Sequence, residues 1–166
     1  MKLIQDNPYR IAGILANSSE KELQKQKSKI TKYASIGKQV DSELDFPFFR
    51  NVDRSESSIT KAFSGIEQNQ DKVSHSLFWF LKANTFDETA INYLINGDKE
   101  KAVEIWDKVT NGKEVTSKNF SCFNNIGTLK LLSNSKDEIK EGLEAKIKLI
   151  ESPNFADFVH TVADQT

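Results

Sequence analysis

Asn7-Pro8-Tyr9-Arg10-Ile11-Ala12-Gly13-Ile14, leading through Ala16-Asn17-Ser18-Ser19 into a lysine-rich run that ends near Lys38, is the stretch from which the fold is read. Pro8 suits the first turn of a helix, where its missing N–H has no partner to lose. Gly13 suits the bend that ends such a helix. Ser19 and Glu22 then stand at capping-box spacing, with the hydroxyl able to accept from the third amide and the carboxylate able to reach back. From Glu20 to about Gly37, Leu23, Ile30 and Ala34 fall on one side of the helical wheel. Lys21, Lys25, Lys29 and Lys32 fall on the other. The expectation is a short helix, a bend, and a long amphipathic helix with a basic outer stripe.

Working outward, Pro47 pushes Phe46 out of helical geometry, so Leu44-Asp45-Phe46-Pro47-Phe48-Phe49 reads as a loop whose aromatics fold back on a core. Asp53 and Glu56 offer another cap spacing ahead of Ile59, Ala62, Phe63 and Ile66. A helix with Val73, Leu77, Phe80 and Leu81 on its seam is expected next. Asp87 can cap a helix carrying Ala90, Tyr93 and Leu94, and Gly97-Asp98 turns into a second, with Ala102, Ile105, Trp106 and Val109 on one face. Two more helices are expected over about 119–132 and 136–151, and a further one starts near Phe155. No stretch alternates at period two, so the fold class is all-α.

Composition narrows the function classes. A chain of 166 residues holds one ordinary domain or two small ones, and seven glycines and three prolines leave few breaks between helices. A net charge of −1 gives no global attraction to nucleic acid or anionic lipid. One cysteine, Cys122, excludes an internal disulfide and suits a reducing, cytoplasmic setting. The longest apolar cluster, Leu77-Phe78-Trp79-Phe80-Leu81, is far short of a membrane span.

The order of elements in residues 7–82 resembles a J domain, the small helical module of co-chaperones. Tyr9 and Ile11-Ala12-Gly13-Ile14 stand where that family has its opening aromatic and bend. Asn17 to Leu23 is similar to its link into the basic second helix, and Ala62-Phe63-Ser64-Gly65-Ile66 to its third-helix pattern. The family stimulates a heat-shock ATPase through a His-Pro-Asp tripeptide between those helices. This chain has only His75 and His160, both outside that loop, which reads Phe46-Pro47-Phe48. The resemblance therefore implies the shape of a J domain without its trigger.

The second half resembles the tetratricopeptide repeat. Tyr93, Gly97-Asp98, Ala102 and Trp106 match its large aromatic, turn, small packing residue and second-helix aromatic. Phe123, Asn125, Ile126 and Gly127 match the opening of a second unit. Thr89-Ala90 placed on Ile126-Gly127 sets Ala102 on Ile139 and Trp106 on Leu143. The organisation expected is a J-like region over 1–83 and helical hairpins over 84–166, the first packed on the second as a cap. Two repeats fall short of a self-sufficient stack, so the native chain is also expected to continue beyond Thr166.

Catalysis finds no support in the pattern: there is no cysteine pair, no His-x-x-x-His and no glycine-rich phosphate loop. Cys122 beside Phe120 and Phe123 reads as a buried inert thiol. No catalytic, cofactor-binding or metal-ligating residue is assigned. The leading expectation is a non-enzymatic, chaperone-associated module that binds a protein partner through the surface of its helical repeats, with neither nucleic acid nor membrane as ligand. Candidate contacts are Lys21, Lys25, Lys29 and Lys32 on the basic helix and Asn92, Asn96, Asn124 and Lys130 on the first helices of the hairpins. The alternatives are an atypical co-chaperone docking a heat-shock ATPase through the four lysines, and an enzyme of unrecognised type.

Overall fold

The computed structural model describes residues 1–163, and every regular element among them is a helix. The first half holds α1 (Lys2–Gln5), α2 (Pro8–Ala12), α3 (Glu20–Ala34), α4 (Glu56–Ser64) and α5 (Asn69–Ser76). The second holds α6 (Thr85–Ile95), α7 (Lys99–Thr110), α8 (Phe120–Lys130), α9 (Lys136–Glu151) and α10 (Phe155–Val162). Helix α1, with Ile4 fully buried, lies where no helix is expected from the sequence. Residues 164–166, at the end of the second expected region, lie outside the described residues.

The opening stretch folds as its chemistry dictates. Asn7 caps α2 by accepting from the Tyr9 amide, and Pro8 takes the first helical position. Gly13 ends the helix at φ +73°, and a Cβ there would lie 2.8 Å from the Ser42 Cβ, so both conformation and space call for glycine. Ser19 and Glu22 complete both arms of the capping box on α3. Leu23 and Ile30 point into the core.

Residues 35–55 form the long connection between α3 and α4, and its fold is fixed by one buried cation. Arg54 is 1% exposed. It donates to the carbonyls of Arg10, Ile11 and Val40 and makes a two-pronged pair with Asp45 at 2.6 and 2.7 Å. Burial alone would raise the Asp45 carboxyl, but the Arg54 and Ser42 hydrogen bonds outweigh it and hold the pKa below the usual carboxylate range. Phe46 turns inward and stacks toward Trp79 and Phe49, as the loop reading anticipates. The cap of α4 is Ser55, not Asp53; Asp53 instead accepts from the Ser55 amide and the Ser58 hydroxyl.

Three registers differ from the sequence reading. Helix α5 stops at Ser76, so Trp79-Phe80-Leu81 is non-helical chain with all three side chains 0% exposed. Helix α6 is capped by Asn84, which leaves Asp87 inside its first turn. In the second hairpin Gly127 faces Gly142 rather than Ile139: a Cβ on Gly127 would lie 3.2 Å from the Gly142 carbonyl. The α8–α9 turn, residues 131–135, is two residues longer than the α6–α7 turn, residues 96–98. That length slides α9 along α8, so Lys146 rather than Leu143 is buried beneath the hairpin, while Leu143 is 46% exposed.

The hairpins α6–α7 and α8–α9 lie side by side, α7 and α6 both touching α8, and α10 closes over α5, α8 and α9. Helix α8 is the centre of this arrangement, buried continuously from Phe120 to Leu129. One apolar core runs from Ile4 to Val162 through both halves.

Candidate docking cleft

A cleft of about 420 Å³ opens between α3, the α2–α3 connection and α6. Ile14, Leu15, Leu44, Ile91 and Ile95 form its apolar floor. Lys25 and Lys29 from α3, Lys82 from the segment before α6, and Asn92 from α6 stand on its rim. Two exposed carboxylates also border it: Glu43, and Glu22, which accepts from the Ser19 amide at 2.7 Å. Three lysines against two glutamates leave the rim with a small positive excess over an apolar base.

The eight predicted contact residues separate into groups. Lys25, Lys29 and Asn92 converge on this cleft. Lys21 and Lys32 are exposed on α3 but outside the cleft lining. Asn96 is exposed, with its amide donating back to the Asn92 carbonyl at 2.9 Å. Lys130 lies over a second groove between α7, α8 and α9, paired with Glu141 at 2.6 Å. Asn124 must be corrected: it is 0% exposed and cannot meet a partner. Its amide donates to the carbonyls of Ser76 and Trp79 at 3.1 and 2.9 Å, so it belongs to the core. Positional analogy to a repeat's outward face fails there because α8 is covered on all sides.

Two buried ionisable groups have no counterpart among the sequence-derived candidates. Asp87 is 0% exposed and accepts from the Ala83 amide, the Ser121 hydroxyl, the Trp106 indole and the Asn125 amide at 2.5–3.0 Å. Lys146 is 5% exposed, and its Nζ donates at 2.7 Å to the Asn124 carbonyl, the Asn124 Oδ1 and the Thr128 hydroxyl. Burial without a carboxylate pushes the Lys146 ammonium well below its ordinary pKa. Neither residue lines the α3–α6 cleft or the groove between α7, α8 and α9. Cys122, whose thiol is pushed up to about 12 chiefly by burial and then by Asp87, joins the same cluster. In the sequence Asp87 is marked only as a carboxylate at the start of an apolar helix; its donors Trp106 and Ser121 are brought to it by other helices. Lys146 offered none, because its burial depends on the slipped register of α9.

Among the described residues no group of three or more His, Cys, Asp or Glu is placed to hold a metal ion, and no helix is long and apolar enough to cross a membrane. Comparison of the chain with protein-family models, with curated proteins and with solved structures returned no match.

Proposed function

We propose that this chain is a non-enzymatic protein-interaction module that receives an acidic, partly apolar segment of a partner protein in the α3–α6 cleft. The observation that carries the reading is the convergence of Lys25 and Lys29 with Asn92 across one apolar-floored cleft. Aliphatic stems of the lysines extend the floor while their ammonium groups stay in water, a combination suited to an amphipathic segment with carboxylates along one edge. Asn92 supplies a donor and an acceptor for the segment's backbone.

The test is a fluorescence titration of the intact chain with acidic amphipathic peptides and their charge-neutral counterparts. The acidic peptides should bind, more weakly as salt rises. The Lys25→Glu/Lys29→Glu variant should weaken binding by at least about tenfold, an effect expected of paired charges at an interface. Lys130→Glu, in the other groove, should leave it unchanged. Equal binding of neutral peptides, or indifference to the α3 reversal, would remove the cleft from consideration. The second reading, an atypical co-chaperone, rests on the exposure of all four α3 lysines. Stimulation of a heat-shock ATPase that disappears on reversing Lys21, Lys25, Lys29 and Lys32 together would favour it instead.

A further inference from the structure

We propose that the outward face of α9 is a two-fold dimer interface whose partner is a second copy of this chain. Leu143, Ile147 and Ile150 are 46%, 52% and 47% exposed, three of the few large apolar side chains left open to water. At about 100° per residue they share one ~80° arc with Lys136 and Lys140, with Glu144 and Glu151 along its edge. The adjoining face, Gly142, Lys146 and Leu149, is buried against the hairpin. This surface is separate from the α3–α6 cleft.

The charge order on that arc identifies the partner. Elsewhere on α9 the charges follow the helix dipole, with Asp137 and Glu138 in the first turn and Lys148 in the last. On the outward arc the order is reversed, with lysines in the N-terminal half and glutamates in the C-terminal half. Lys136 and Lys140 also stand i,i+4, a like-charge spacing that disfavours the isolated helix. Among the described residues none of Lys136, Lys140, Glu144 and Glu151 takes part in a salt bridge. A second α9 laid antiparallel relieves the Lys140 and Glu151 part of this and covers the apolar arc, with Lys136 and Glu144 left at the solvated rim. Leu143 then meets the Ile147 of the other copy, and Lys140 meets its Glu151, with each contact repeated by the two-fold axis. A parallel copy would set lysine against lysine. An unrelated partner has no need of a pattern complementary to itself.

Pairing through one helix of this length gives a small interface, so the dimer should have a Kd on the order of micromolar. Sedimentation velocity on the intact chain, at concentrations spanning that range, should show a monomer–dimer equilibrium. Ile147→Asp should raise the Kd by at least about tenfold. Lys140→Glu should weaken the dimer, and adding Glu151→Lys should restore it, since both are exposed positions that leave the fold intact by circular dichroism. A chain that stays monomeric throughout, a dimer indifferent to Ile147→Asp, or failure of the double reversal to restore association would each overturn the proposal.

Discussion

Asp87 and Lys146 are both sealed from water, and each is held by neutral dipoles rather than by an opposite charge. Removing the Asp87 carboxylate orphans the Ala83 amide, the Ser121 hydroxyl, the Trp106 indole and the Asn125 amide together. Each orphaned buried group costs about 1–3 kcal/mol, so Asp87→Ala should lose at least about 3 kcal/mol in urea unfolding. An Asp87→Ala protein with a wild-type midpoint would show that the cluster is held by packing alone. Lys146 behaves differently with pH. Its folded pKa lies below its unfolded one. Between the two values the unfolded chain binds the extra proton, so stability rises as pH increases through that window. Below the folded pKa both states are charged and the full penalty of burying the ammonium is present. The wild-type urea midpoint should therefore rise with pH, relative to Lys146→Met, which lacks the titrating group, as the pH climbs toward the ordinary lysine range. Parallel pH profiles for the two proteins would refute this account of Lys146.

At the scale of elements, the two hairpins show how a turn sets what a helix face does. In α8–α9 the backbones approach closely because Gly127 and Gly142 face each other. A Cβ on Gly142 would lie 3.0 Å from the Gly127 carbonyl and 3.1 Å from the Leu131 amide, both backbone atoms that cannot swing away. Alanine is the better helix former by about 1 kcal/mol, yet overpacking of this kind costs about 1–3 kcal/mol. Gly142→Ala should thus destabilise the chain on thermal unfolding, and a raised Tm would mean that the helices part freely at this point. The elements written in local chemistry were legible beforehand: Pro8 and Gly13 bound α2, the Ser19–Glu22 box starts α3, and α9 spans the expected 136–151. What was not legible depends on contacts between elements. The non-helical path of Trp79-Phe80-Leu81 is set by hydrogen bonds from elsewhere in the chain, which periodicity cannot reveal. Asn124 looked like a surface amide because nothing local says that α9 and α10 cover α8 and that the end of α5 meets it. Around the cleft, Lys25, Lys29 and Asn92 were singled out from helical faces but on separate surfaces, whereas their convergence, Lys82 and the apolar floor come from the way α6 meets the α2–α3 connection.

At the scale of the whole molecule, the segment 79–82 joins the halves because it is bonded from both sides. On one side the Ala16 amide donates to the Phe80 carbonyl, the Trp79 indole donates to the Ile14 carbonyl, and Asn17 exchanges two bonds with the Lys82 backbone. On the other, Asn125 exchanges two bonds with the Leu81 backbone while Asn124 holds the Trp79 carbonyl. Each half therefore satisfies backbone groups that the other would leave buried and unpaired, and the apolar core is continuous across the join. Halves coupled in this way should open as one cooperative unit. Asn125→Ala removes both bonds to Leu81 and the donor to Asp87, on a helix remote in sequence from the first half. Native-state hydrogen exchange on this variant should lower protection by the same free energy in α4 and in α7, neither of which Asn125 touches through a hydrogen bond. If protection fell in α6–α9 while α4 kept its wild-type value, the first half would be an independent folding unit that merely rests on the hairpins.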